Sequence, residues 1–273
     1  MACAFGIYTS DPNLLRCELG RLRDEVILAG TNEALGAGWY ADENVLLQRY
    51  SAKARPESIE QLGGVLESDA LIVHSDALAL GMSLEENTQP FRYRQWLFAS
   101  HGGVIPPEKF RARALDVLPD HIARCVRGAT SQEIAFALML AALREIGRTD
   151  DTSLEPSIAA RALGQAARRA EALAQEVGAR PPAMAMIATN AQVMIAARLG
   201  EQPMFFRLLE GVATCEVCGL KDTPDSQARV RSHMRRKSVV IATNIRDPQG
   251  WIPVDSGAAI GVGRTLHVET IGF

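Results

Sequence analysis

Apolar and polar positions change period along this chain, and the changes outline its elements. Residues 4–9, 38–40, 45–50, 70–74 and 96–101 alternate or run apolar with β-branched content, and read as strands. Gly36 and Gly38 bracket a predicted tight turn, and Asp42-Glu43-Asn44 signals a hairpin ahead of Val45. The period then lengthens. Residues 131–147 (SQEIAFALMLAALREIG) place Ile134, Leu138, Ala141, Ala142 and Ile146 near one helical face. Thr130 is the expected N-cap, with Gln132 and Glu133 in the first turn. Residues 156–177 predict a long Ala/Arg/Glu helix, with Pro156 near its first turn and Gly178 at its end. Strands return at 185–188, 192–197, 204–209, 239–242 and 266–269. This order implies an α+β fold with helices packed on sheets rather than alternating with strands. Residues 148–154 read as a surface loop and 219–232 as an exposed polar excursion between strands. No internal repeat appears, and 1–273 reads as a single domain.

Composition narrows the picture a little. With 273 residues, 47% apolar, the chain can bury roughly 75% of its unfolded surface. A formal net charge of -3 makes no case for nucleic acid or an anionic membrane as partner. The sequence has no apolar run long enough for a transmembrane helix, and its start, MACAFGIYTSDPN, lacks the layout of a signal peptide. Five cysteines in this length do not suggest a disulfide scaffold. The expectation is a cytoplasmic protein without a cofactor.

Residues 71–103, LIVHSDALALGMSLEENTQPFRYRQWLFASHGG, place polar residues behind two apolar runs, as if two buried strands shared a site. Other short patterns accompany them in order. They are MACAFG, then LGAGWY at 35–40, then the stretch from His74 to Gly81. Asn87-Thr88-Gln89-Pro90-Phe91, Phe98-Ala99-Ser100-His101-Gly102-Gly103 and Arg127-Gly128-Ala129-Thr130-Ser131-Gln132-Glu133 follow. Together they resemble the class II glutamine amidotransferases, in particular the short members with no attached synthase. The likeness covers the first half of the chain and weakens toward the end. It implies an N-terminal-nucleophile hydrolase fold, a four-layer αββα sandwich. In active relatives a cysteine exposed by Met removal attacks the glutamine amide, with its own α-amino group as base.

At the positions that carry this chemistry the sequence departs from the pattern. Aligning Gly6 puts Ala2 at the nucleophile, with Cys3 one residue late and so turned to the opposite strand face. Asp76 stands where the resemblance implies a carboxylate-binding Arg, and Ala79 where it implies Thr. Gly102 replaces the oxyanion-stabilising Asn while Gly103 keeps its place, and Ser131 replaces the amino-binding Asp. Losing one oxyanion donor costs about 10²–10³ in rate. Losing the nucleophile removes the mechanism. The expectation is a retained fold whose glutaminase chemistry is gone. Its cleft is bounded by Ala2, His74, Asp76, Ala79, Asn87, Gly102, Gly103 and Ser131, and holds a neutral or cationic small molecule, a protein partner or a second copy. The alternative is an active amidohydrolase using Cys3.

Other chemistry is sparser. Cys3 also reads as a small buried apolar side chain. His74 and His101 read as hydrogen-bonding residues at strand ends, or with Asp76 as an acid–base or metal set. Cys215-x-x-Cys218 with His233 supplies three candidate zinc ligands where a closed site needs four. The cysteines are expected on a strand or hairpin without a metal. Residues 229–237 (RVRSHMRRK) suggest a solvated hairpin arm, or a patch for an acidic partner. GAAIGVG at 257–263 is not a phosphate loop, because no helix start follows it; the next strand is expected at 264–269.

Overall fold

The computed structural model describes residues 2–28, 34–42, 44–51, 55–62, 66–77 and 84–273. The chain begins with β1 (Cys3–Thr9), α1 (Leu15–Arg21), β2 (Ala34–Ala41), β3 (Asn44–Tyr50), α2 (Ile59–Leu62) and β4 (Ala70–Asp76). It continues through α3 (Leu84–Asn87), β5 (Phe91–Tyr93), β6 (Trp96–Gly103), α4 (Pro107–Val117) and α5 (Asp120–Ala123). The long helices α6 (Ser131–Glu145) and α7 (Pro156–Glu176) precede β7 (Ala183–Thr189), β8 (Met194–Leu199) and β9 (Phe205–Leu209). Last come α8 (Gln227–Arg235), β10 (Ser238–Ala242), β11 (Ile252–Pro253), β12 (Ala258–Val262) and β13 (Val268–Gly272).

Two antiparallel sheets form, in the orders β11-β9-β10-β1-β4-β2-β3 and β13-β12-β8-β7-β6-β5. They stack face to face. Ala4, Tyr8 and Ile72 of the first sheet pack against Leu97, Ala99, Ile187 and Met194 of the second. The outer face of the second sheet carries α4, α6 and α7, with the Phe136 ring stacked on Phe98 at 5.1 Å. The outer face of the first carries the short α1 and α2, whose Leu15, Leu19, Ile59 and Leu62 cover Phe5, Ile7, Leu71 and Val73. These are the four αββα layers. No helix among the described residues is long and apolar enough to cross a membrane.

Local chemistry explains the long helices. Thr130 caps α6 by accepting from the Glu133 N–H at 3.3 Å, and Pro156 sits in the first turn of α7. Asp42, at a left-handed φ of 54°, turns β2 toward β3. Three sequence expectations are corrected. Gly36 and Gly38 lie within β2, not at a turn. The basic stretch at 229–237 is no hairpin arm: most of it is α8, with Val230 and His233 packed inward one turn apart. The strand expected at 264–269 begins only at Val268, as β13, and the GAAIGVG stretch before it holds a strand of its own, β12.

Candidate functional site

The ends of β4 and β6 and the start of α6 meet at an open cavity of about 460 Å³. A glycine makes the meeting feasible. A Cβ at Gly36 would lie 1.9 Å from the Gln89 carbonyl oxygen, so only glycine lets the 88–90 segment run this close to β2. Gln89 then reaches both sheets. Its Oε1 accepts from the Ser100 N–H at 2.7 Å, and its Nε2 donates to the Ser100 carbonyl at 3.1 Å. The same Nε2 lies 3.1 Å from His74 Nε2. Burial, with the charge of nearby His101, pushes His74 down to about 3, so the ring is neutral at physiological pH and accepts this bond.

His74, Asp76, Asn87, Gly102, Gly103 and Ser131, all expected in one cleft, line this cavity together. Most of their polar atoms also hold the fold. Asn87 Oδ1 accepts from the Ala129 N–H at 2.8 Å, and Ser131 Oγ from the Val104 N–H at 3.0 Å. Gly102 has φ +78°, and a Cβ there would sit 2.1 Å from the Ala183 carbonyl oxygen. The backbone therefore excludes an asparagine at this place without moving β7. Thr88 and Gln132, which sequence reasoning passed over, also line the cavity. Gln132 Nε2 donates to the Gly102 carbonyl at 2.9 Å, and the buried Thr88 Oγ1 has no hydrogen-bond partner among the described residues. No cysteine, lysine or arginine is among the described residues that line it.

Ala2 is buried at the start of β1 and is not among the lining residues. Ala79 lies outside the described residues. Cys3 is 1% exposed and belongs to the other face of β1, among Phe5, Ile7, Leu35 and Val73 under α1 and α2. His74 and Asp76, two residues apart on β4, lie on the face opposite Val73. His74, Asp76 and His101 do not form a metal-ligand set. Among the described residues, one group of three or more such side chains shares a reachable centre: Cys17, Cys215, Cys218 and His233. The sequence offered three of these four. Cys17 was missed because it lies on α1, at the far end of the chain.

No family model matches the sequence. A stretch of 91 residues, 33% of the chain, is 29% identical to the "Probable glutamine amidotransferase DUG3" of Saccharomyces cerevisiae and covers 26% of that protein. A glutamine aminotransferase class-II domain protein from Silicibacter pomeroyi superposes with TM-score 0.61 at 18% identity, over 99% of both chains. A "predicted glutamine amidotransferase" from Pseudomonas aeruginosa gives 0.57 at 14% identity, over 100% of this chain and 99% of that one. The fold is that of a class II glutamine amidotransferase domain. A glutamine phosphoribosylpyrophosphate amidotransferase from Bacillus subtilis carries the amidotransferase-type fold too, at TM-score 0.53 and 13% identity, with this chain covering 49% of it.

Proposed function

We propose that this chain is a glutamine amidotransferase-like protein that has lost glutaminase chemistry and acts by binding a ligand or a protein at the retained cleft. The observation that carries the reading is the placement of Cys3. It is packed under the outer helices, on the face of β1 turned away from His74 and Asp76. At 1% exposure, a thiol there is shut off from a substrate held in the cleft. Three features of the cleft support the reading. The glycine at 102 leaves no side-chain donor for an oxyanion, Ser131 is engaged by the Val104 N–H, and no cation lines the cavity among the described residues. With Asp76 in place of a carboxylate-binding arginine, the cleft favours a neutral or cationic ligand over an α-amino acid gripped by its carboxylate.

The competing reading, which the sequence left open, is an active amidohydrolase using Cys3, and one experiment separates the two. Purified chain is assayed for glutamine hydrolysis and treated with a thiol-reactive glutamine analogue, followed by peptide mass spectrometry. The expected result is no turnover above background and no stoichiometric label on Cys3. Turnover that disappears in Cys3→Ala, with label on Cys3, overturns the proposal.

A further inference from the structure

The outer layer beside the first sheet holds the densest group of metal-ligating side chains among the described residues, away from the cleft. Cys17 comes from α1, Cys215 and Cys218 from the turn before α8, and His233 from α8 itself. We propose that these four side chains bind one zinc ion as a closed structural site.

The spacing of the four ligand atoms suits one shared ion. The four ligand atoms all lie within 4.8 Å of one another. Bonds of about 2.3 Å to sulfur and about 2.0 Å to nitrogen, at the tetrahedral angle, set ligand atoms roughly 3.5–3.8 Å apart. Cys218 Sγ and His233 Nε2 are 3.4 Å apart. Local structure aims the remaining atoms. Cys215 and Leu220 exchange backbone hydrogen bonds at 3.0 and 2.8 Å, closing the Cys-x-x-Cys turn. Backbone N–H groups of Val217 and Cys218 point at the Cys215 sulfur. His233 Nδ1 lies 3.0 Å from the Arg229 carbonyl, one helical turn back, so Nδ1–H donates there and Nε2 faces the sulfurs. Such an outer partner fixes the tautomer of a ligating histidine.

The surroundings fit a structural ion. Cys17, Cys215 and His233 are buried, and the satellite cluster around them contains only Leu220 and Val230 as further buried apolar residues. Leu14, Ala213 and Val217 pack against it partly buried, and α1 sits tightly there, since a Cβ on Gly20 would lie 2.2 Å from Val217 Cγ2. Three thiolates and one imidazole are a soft, four-ligand set that suits zinc and leaves no open coordination position. The ion would join the segment after β1 to the segment before β10, and these two strands pair in the sheet.

Metal analysis of the purified full-length chain tests this, with cobalt as a spectroscopic probe. The expected result is about one zinc per chain. Replacing it with cobalt gives the visible bands and thiolate charge-transfer absorption of a tetrahedral site. Chelation lowers the melting temperature by about 10 °C or more, and added zinc restores it. Cys17→Ser and His233→Asn lose the metal. Should these variants fail to fold, the stoichiometry and cobalt spectrum of the wild-type chain decide. A wild-type chain that is free of zinc, takes up no cobalt and melts unchanged with chelator overturns the proposal. So does a disulfide between two of the three cysteines.

Discussion

Gln89 does at the scale of one residue what a sequence match cannot report. As a pattern it is one residue short of the motif that the first half resembles; as a structure it joins β6 to His74 by three hydrogen bonds. That network has a pH consequence. In the unfolded chain a histidine takes up a proton below about pH 6.5, whereas folded His74 does so only near 3. Between those values the unfolded state carries the extra proton. The stability due to neutral His74 is therefore complete above about pH 6.5 and is lost as pH falls toward 3, with a slope of up to about 1.4 kcal/mol per pH unit. His74→Gln removes the titrating group. Urea unfolding of both proteins between pH 7 and 4 should give curves that converge toward the acid side. Other buried groups, such as Glu133, whose carboxyl burial pushes up, are common to both proteins and cancel in the difference. Parallel curves would show that His74 is not the buried neutral ring described.

Elements were legible where one strong local signal stood alone. The apolar face of α6, its Thr130 cap and the proline of α7 are all in the sequence, and both helices lie where these signals put them. α8 was hidden because five charged or polar residues outnumber its two inward ones, and β12 because small residues resemble a loop. α1 was hidden by its brevity, although Asp11 and Pro12 mark the turn that leads into it. No local signal announces its most consequential contact. Glu18 of α1 forms an ion pair with Arg236, just past α8, and neither side chain is exposed. Burial pushes the Glu18 carboxyl up, while Arg236 and Arg21 hold it down. The terminal nitrogens of Arg236 find no hydrogen-bond partner among the described residues, so Glu18 is its main compensation. Glu18→Gln strands a buried guanidinium and should cost about 3–5 kcal/mol in urea unfolding. The double change Glu18→Leu with Arg236→Met removes both charges and should cost far less. Equal losses in the two variants would mean that packing, not charge, governs the contact.

The whole molecule is lopsided, and its dynamics should follow. One sheet is covered by α6 and α7, of 15 and 21 residues, the other by α1 and α2, of 7 and 4. Helices this short have almost no stability of their own and persist only while their apolar side chains stay docked. The sequence showed the two long helices but could not show which sheet they cover. Strand order depends on pairs such as Phe5 with Ala242, joined only when the chain is folded. Regions that bury fewer residues open at lower free energy than the global transition. Amides of β6, β7, β8, α6 and α7 should therefore exchange only through global unfolding. Those of α2 should exchange at least about tenfold faster, through local opening worth 1.4 kcal/mol less or more. α1 separates two influences on this layer. Anchored through Cys17 by a metal it should be protected like the sheets, and stripped of metal it should exchange like α2. Native-state hydrogen exchange with mass spectrometry, with and without chelator, resolves the three segments. Uniform protection across both helical layers would show that the short helices are held by something other than the side chains packed beneath them.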